Sequence, residues 1–332
     1  MTSPRETMCA IVRTSEGAAL RVRPRPPLPR EPGWARVRLL VAGLCRTDVY
    51  AARGQLPCAV DRVLGHEAAG RIVGLSAGTD PSAAHAEAFE RGTLVAFHPF
   101  LGCGVCPSCA SSRPQHCPNA RMLGVAVDGV FAEEAVVPLR ACVPLPGVGD
   151  PRVAAFLEPY AAALAVAHAG LAPHARTLLV GEGRIATLTE FVLRRAGFTD
   201  VTCAIAPPAG ERFDLGIETR VGPGGVAALV DALRPAGTLV LKSRPARPLA
   251  VDVARWVQRD LTVRAVSYAP FERAAEELAD PSVDVGAWLG EVHSYERFHA
   301  LLTRGAADAR GRVVGESASK PLLACDGRAC AA

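Results

Sequence analysis

Residues 201–218 read VTCAIAPPAGERFDLGIE, two apolar runs of strand length separated by a double proline. Proline fixes φ and removes a backbone donor, so Pro207-Pro208 ends the first run and cannot lie inside a central strand. Upstream, residues 177–197 read TLLVGEGRIATLTEFVLRRAG: an apolar run, a glycine turn, then a segment of helical period. Downstream come the helical pattern GGVAALVDALRPAG and the apolar runs TLVLKS and LTVRAVS. Strands alternating with helices specify a parallel sheet with helices on its faces. The expectation over residues 151–269 is therefore an α/β unit of doubly wound type.

The glycine turn reads Gly181-x-Gly183-x-x-Ala186 between a strand and a helix. That context is the fingerprint of a dinucleotide site, where helix N-terminal amides face a pyrophosphate. Glu182 brings a negative charge to the same turn, and Arg184 is placed to offset it. In the complete fold, strand two ends in an acid that grips the adenosine ribose, and a helix, a third strand and a second helix follow. Here strand two ends Ala206-Pro207-Pro208, with no Asp or Glu between Ile205 and Glu211. If FDLGIE is strand four, only residues 207–212 join it to strand two. Six extended residues reach about 20 Å, against roughly 16 Å back along the sheet and 10 Å across it. Either the helix–strand–helix segment (αB-β3-αC) is missing, or residues 201–206 lie elsewhere. Arg212 is a single candidate for facing a 2′-phosphate.

Residues 1–150 have a different texture. Short apolar runs such as ARVRLLVAGLC, VLGHEAAGRIVGL and TLVAFHPF are punctuated by Gly and Pro, the pattern of a compact, mostly β unit. The Ala-rich stretch 151–170 marks the crossing into the second unit. After 270, FERAAEELADP and YERFHALLTRGA read as amphipathic helices that complete the first unit, and the tail from Ala318 reads as frayed. The chain has 332 residues, 49% apolar and 21% charged, with a formal net charge of +4 spread without a basic run. These values argue for a globular chain and against a nucleic-acid partner. No apolar run has signal-peptide or membrane-span length, so the expected location is the cytoplasm, with no membrane partner. Lys242 and Lys320 are the only lysines, which reads as coding bias toward Arg.

Eleven cysteines in a cytoplasmic chain need a use other than disulfides. Cys103, Cys106, Cys109 and Cys117 are separated by two, two and seven residues, the spacing of a closed, four-thiolate structural zinc site. Gly104 and Pro107 let the chain fold back on the ion, and His116 is the alternative donor. A second constellation is open. GLCRTDVY and VLGHEAAG follow apolar strands and offer Cys45, Asp48, His66 and Glu67, and Glu158 in FLEPY is an acid among apolar neighbours. Catalytic zinc takes three protein ligands and leaves one position for a substrate oxygen. Cys45, His66 and one carboxylate meet that need, although an ordinary loop histidine and a small core thiol meet it equally on spacing alone. Cys9, Cys58, Cys142, Cys203, Cys325 and Cys330 read as core or tail thiols, and His98, His168 and His293 have no partner pattern.

In their order along the chain, GLCRTDVY, VLGHEAAGRIVG, CGVCPSCASSRPQHC, DGVFAEEAVVP, LEPYAAALAVAHAG and LLVGEGRIA resemble the zinc-dependent medium-chain alcohol and polyol dehydrogenases, from about residue 8 to about residue 315. The resemblance implies a GroES-like catalytic domain, a Rossmann cofactor domain and an active site in the cleft between them. It implies one structural and one catalytic zinc, NAD(H) or NADP(H), a small-molecule substrate, and a homodimer or homotetramer. Carried over, Cys45, His66 and Glu67 match catalytic zinc ligands, and Glu158 the fourth carboxylate of the polyol type. Thr47 matches the hydroxyl that relays the alcohol proton, Asp48 the acid that orients the histidine, and Arg46 a base facing the pyrophosphate. Tyr50 stands where related enzymes continue the relay with histidine. The implied activity is interconversion of a secondary alcohol (a polyol, cyclitol or amino-sugar-like compound) and a ketone. The shortened cofactor half keeps two alternatives open: a redox-neutral zinc lyase, isomerase or cyclase, and a non-catalytic partner subunit.

Overall fold

A computed structural model of the chain describes residues 6–79, 89–220, 224–244, 248–304 and 319–325. Two compact units are present, Met1–Glu158 with Phe271–Ala332, and Pro159–Pro270. In chain order the strands of the first unit are β1 (Thr7–Thr14), β2 (Gly17–Pro24), β3 (Trp34–Gly43), β4 (Ala68–Leu75), β5 (Leu94–Phe97), β6 (Phe100–Leu101), β7 (Arg121–Met122), β8 (Glu134–Pro138) and β9 (Cys142–Pro144). The second unit holds β10 (Thr177–Val180), β11 (Val201–Ala204), β12 (Phe213–Glu218), β13 (Leu233–Leu241) and β14 (Thr262–Ala265), and the chain returns to the first with β15 (Leu289–His293) and β16 (Lys320–Ala324). The helices are α1 (Arg46–Ala52), α2 (Pro107–Ala110), α3 (Pro151–Ala155), α4 (Leu157–Ala167), α5 (Arg184–Arg195), α6 (Gly225–Ala232), α7 (Val253–Gln258), α8 (Phe271–Ala279) and α9 (Tyr295–Arg304).

The first unit is built on a sheet of order β15-β16-β3-β4-β5-β9, with β8 also paired to β3. Its inward residues, among them Val37, Leu39, Leu44, Ile72, Val95, Phe97 and Phe131, form one apolar core. Burying such side chains contributes roughly 1.5–3 kcal/mol each. β3 and β4 are antiparallel, with Ala42 opposite Ala68. The loop after β3 and the loop before β4 therefore emerge at the same end of the sheet, which is what brings two distant sequence motifs together.

The tail from Ala318 corrects the sequence reading. Residues 320–324 are β16, held between β15 and β3, with Leu322 and Leu323 fully buried. Its identity as a strand comes from pairing with β3, Leu322 opposite Gly43, across nearly the whole chain. Five residues that include a proline carry no local pattern able to announce that pairing.

The second unit is a parallel sheet of order β11-β10-β12-β13-β14. The amphipathic helix α5 buries Ala186, Leu188, Val192 and Leu193, and separate apolar clusters form around Leu178, Phe213 and Leu239 and around Val166, Leu179 and Ile217. β11 keeps its place beside β10, with Ala204 level with Val180, and β12 lies on the other side of β10. The alternative in which residues 201–206 lie elsewhere is thereby removed. The link from β11 to β12 spans residues 205–212 and contains no helix or strand. Because β11 ends at Ala204, the link is two residues longer than the sequence suggested, and its reach rises to nearly 30 Å. Arg176 secures its far end: Nη1 donates to the Arg212 carbonyl at 3.0 Å, the guanidinium pairs with Glu211 and covers the Phe213 ring at 4.7 Å.

Candidate active site

Cys45 ends the loop after β3 and is the N-cap of α1. The Asp48 carboxylate closes a capping box by accepting the Cys45 backbone N–H at Oδ2, 2.9 Å away. Its other oxygen, Oδ1, lies 2.8 Å from His66 Nδ1. One buried acid, 2% exposed, thus starts the helix and fixes the imidazole, so that Nε2 is the ring nitrogen turned toward Cys45 and Glu67. His66 and Glu67 lie just before β4, and Gly43 N–H donates to the Glu67 carbonyl at 2.8 Å.

Donor atoms of Cys45, His66 and Glu67 all lie within 4.8 Å of one another, and His66 Nε2 is 3.9 Å from Glu67 Oε1. Ligands at zinc distances on a tetrahedron sit about 3.3–3.6 Å apart, so this donor set fits zinc with little adjustment. Electrostatics agree. Burial alone would push the Cys45 thiol up, but the His66 imidazole and the Lys320 ammonium outweigh it and the pKa falls below its ordinary value. Burial would likewise lower His66, yet Asp48 and then Cys45 raise it well above the usual histidine range. Both shifts come from the close approach of thiol and imidazole, and a metal can take the place of the proton they share. Glu158, in the first turn of α4, is buried and close enough to oppose the Cys45 thiolate electrostatically, but stands outside the three-donor cluster.

Thr47 is half-buried, its Oγ1 3.8 Å from Cys45 Sγ. Arg46 and Tyr50 are also half-buried and meet each other, the guanidinium 5.8 Å from the ring centroid.

One residue at this site went unread in the sequence: Lys320. It is fully buried, its ammonium paired with Glu67 Oε2 and 3.5 Å from the Leu44 carbonyl. Continuing the Leu322–Gly43 register places Lys320 level with Cys45, and Leu44 N–H donates to the Pro321 carbonyl at 3.0 Å. Burial pulls the Lys320 pKa down to about 8, against the pull of Cys45 and Asp48. Gly43 makes room: a Cβ there would stand 2.7 Å from Lys320 Cδ and 2.9 Å from Glu67 Oε2. The available signal was scarcity. In a chain that uses Arg almost everywhere, a retained lysine marks a slot for a compact charge that a guanidinium fork cannot enter.

The second cluster brings together Cys103, Cys106, Cys109 and Cys117, again within 4.8 Å. Pro107 opens the four-residue α2 with Cys106 as its N-cap. Backbone N–H groups of Val105 and Cys106 pull the Cys103 thiol down to about 6, and Cys117 Sγ accepts the N–H groups of Cys103 and Asn119 at 3.3 and 3.4 Å. Four thiols in a cage of amide donors fit a closed structural zinc. His116 is not part of this set. Of the other cysteines, Cys58, Cys142 and Cys325 are buried and Cys203 is exposed, while Cys330 lies outside the described residues. Cys9 departs from the expectation of a thiol, being disulfide-bonded. His98 is a core histidine against Phe271, pushed by burial to about 4.

In the second unit, Gly181 follows β10 at φ +147 and Gly183 caps α5 at φ +80. A Cβ on Gly181 would lie 2.0 Å from Thr219 Oγ1, so the turn demands glycine. Ala186 is buried at the root of α5. Arg184 is only 4% exposed, and it is Arg220, 2.6 Å away, that meets the Glu182 charge. The turn and helix amides fit the phosphate end of a dinucleotide.

The chain thus combines a parallel Rossmann-type sheet with a β-rich unit that carries a closed four-thiol cluster and an open Cys–His–Glu cluster. Residues 31–147 match the family model for the alcohol dehydrogenase GroES-like domain. The chain is 32% identical over 216 residues to L-galactonate-5-dehydrogenase of Escherichia coli (strain K12), covering 60% of this chain and 61% of that protein. It is 30% identical over 199 residues to L-idonate 5-dehydrogenase (NAD(P)(+)) of the same organism, covering 56% and 55%. In fold it is similar to the short chain alcohol dehydrogenase rspB of E. coli CFT073 complexed with NADH, with TM-score 0.79, 21% identity and coverage of 96% and 99%. The chain spans about three fifths of the length of these curated relatives. Residues 31–147 carry the alcohol dehydrogenase GroES-like domain, and over a longer stretch the chain is similar to the dehydrogenases named above.

Proposed function

We propose that this chain is a zinc-dependent oxidoreductase that interconverts a secondary alcohol of polyol or sugar-acid type and its ketone, with NAD(H) or NADP(H) as hydride partner. The observation that carries the reading is the Cys45–His66–Glu67 cluster, backed by Asp48 and already biased toward thiolate. These three residues would hold zinc, and the chemistry it would supply there is that of a Lewis acid, acidifying an alcohol oxygen and polarising a carbonyl. Asp48 fixes the His66 tautomer and ring plane, and Cys45 with Glu67 lowers the charge the site presents to substrate. Thr47 Oγ1, beside the Cys45 sulfur, accepts the alcohol proton and passes it outward, and the Arg46–Tyr50 pair flanks that exit. The sugar-acid class is supported by the names of the relatives, L-galactonate-5-dehydrogenase and L-idonate 5-dehydrogenase.

The eight-residue link between β11 and β12 favours one other reading, a redox-neutral zinc enzyme. A single experiment separates them. Zinc-loaded protein is incubated with L-galactonate, L-idonate and a polyol panel, with and without NAD or NADP. Formation of reduced nicotinamide stoichiometric with ketone supports the proposal. Turnover in protein stripped of nicotinamide overturns it.

A further inference from the structure

The two ends of a dinucleotide meet different receptions in the second unit. At the phosphate end, Gly181 and Gly183 open the twelve-residue α5, and Gly181 lies against Thr219 so closely that no side chain fits. Among the described residues, the end of strand two offers adenosine nothing comparable. The ribose of a bound dinucleotide needs a carboxylate, or an Arg for a 2′-phosphate, at the C-terminal end of strand two. That strand is β11, and no charged residue occurs from Val201 to Gly210. The first charged pair beyond it is engaged elsewhere: Glu211 pairs with Arg176, and the Arg212 guanidinium donates to the Glu211 carbonyl at 2.9 Å. Asp200 sits at the opposite end of β11, 4.0 Å from Arg176. β11 is the outermost strand on its side among the described residues, where a complete sheet would carry a further strand. Its margin is bare: Cys203 is exposed and Ile205 is 77% exposed.

We propose that this chain grips its cofactor by the nicotinamide mononucleotide half alone, so that reduced nicotinamide mononucleotide binds about as well as NADH, and NADH about as well as NADPH. The proposal rests on the reading of the chain as a nicotinamide-dependent oxidoreductase and specifies which part of the cofactor that enzyme recognises. A ribose carboxylate makes charge-assisted hydrogen bonds, each worth about tenfold to a hundredfold in affinity. Without them, and without an outer strand, the adenosine half adds contact but no directed bond. The same lack of charge removes the element that ordinarily separates a 2′-hydroxyl from a 2′-phosphate.

The test is direct binding to the zinc-loaded full chain, read by nicotinamide fluorescence, with reduced nicotinamide mononucleotide, NADH and NADPH as ligands and 5′-AMP as competitor. The expected result is three dissociation constants within about tenfold of one another, with no displacement by 5′-AMP at millimolar concentration. NADH or NADPH binding on the order of a hundredfold tighter than the mononucleotide, or displacement by 5′-AMP, overturns the proposal and leaves the oxidoreductase reading standing. Failure of all three reduced nicotinamides to bind overturns both.

Discussion

Replacing Lys320 with Met tests whether Glu67 shares its charge with a metal. Lys320 and Glu67 are fully buried partners. Met has similar length and no charge, so Lys320→Met keeps the packing beside Gly43 and strands the carboxylate. Breaking a buried pair from one side costs about 3–5 kcal/mol, less whatever Glu67 recovers by taking up a proton. With zinc bound, the metal itself supplies the positive charge, and the cost falls to an expected ~1 kcal/mol. The thermodynamic cycle then requires the variant to bind zinc more tightly by the difference, about 2–4 kcal/mol, or roughly thirtyfold to a thousandfold. Two measurements close the cycle: urea unfolding of metal-free wild type and variant, and chelator competition for the second zinc with the four-cysteine site kept loaded. A variant as stable as wild type without metal, with unchanged zinc affinity, would refute the reasoning. Glu67 would then be a carboxylate that neither cation needs.

Three further outcomes follow from the geometry. Asp48→Asn presents an amide that can accept from only one of the two N–H donors at Cys45 and His66, so zinc affinity should fall about tenfold to a hundredfold in chelator competition. For His98, the folded pKa of about 4 lies below the unfolded value of about 6.5. Its contribution is therefore fully present above pH 6.5 and is lost as pH falls to 4, about 3 kcal/mol in all. Urea midpoints recorded across that range should decline less steeply in His98→Gln. Gly181→Ala drives a methyl against Thr219 Oγ1 at a backbone angle only glycine adopts readily, costing about 1–3 kcal/mol and displacing the phosphate turn. Its nicotinamide fluorescence titration should show a loss of at least about tenfold in affinity.

What the sequence disclosed follows from how locally each feature is encoded. The cysteine quartet lies within fifteen residues, and the structure gathers all four sulfurs. The strand–glycine–helix signal at 177–197 is continuous and becomes β10 and α5. Cys45 and His66 are less local, yet each follows an apolar run, and antiparallel pairing of β3 with β4 delivers both to one edge. The features missed are those set by long-range register. β16 has no pattern of its own, so neither that strand nor its lysine could be read. The exclusion of Glu158 from the donor cluster depends on where α4 begins, which spacing does not encode. Arg184 reads as a cation for the phosphate turn, but the helical period carries it into the interior, and Arg220, beyond β12, takes its place beside Glu182.

The central position of β16 also bears on the order of folding. Leu322 pairs with Gly43 across about 280 residues, so docking β16 closes a long loop and is entropically slow. Until it docks, the stretch of β3 that receives it lacks that partner and Glu67 has no ammonium beside it. A cation present at that stage would meet a thiol, an imidazole and an uncompensated carboxylate before the lysine arrives, which makes the order of metal loading and strand docking part of how the protein folds.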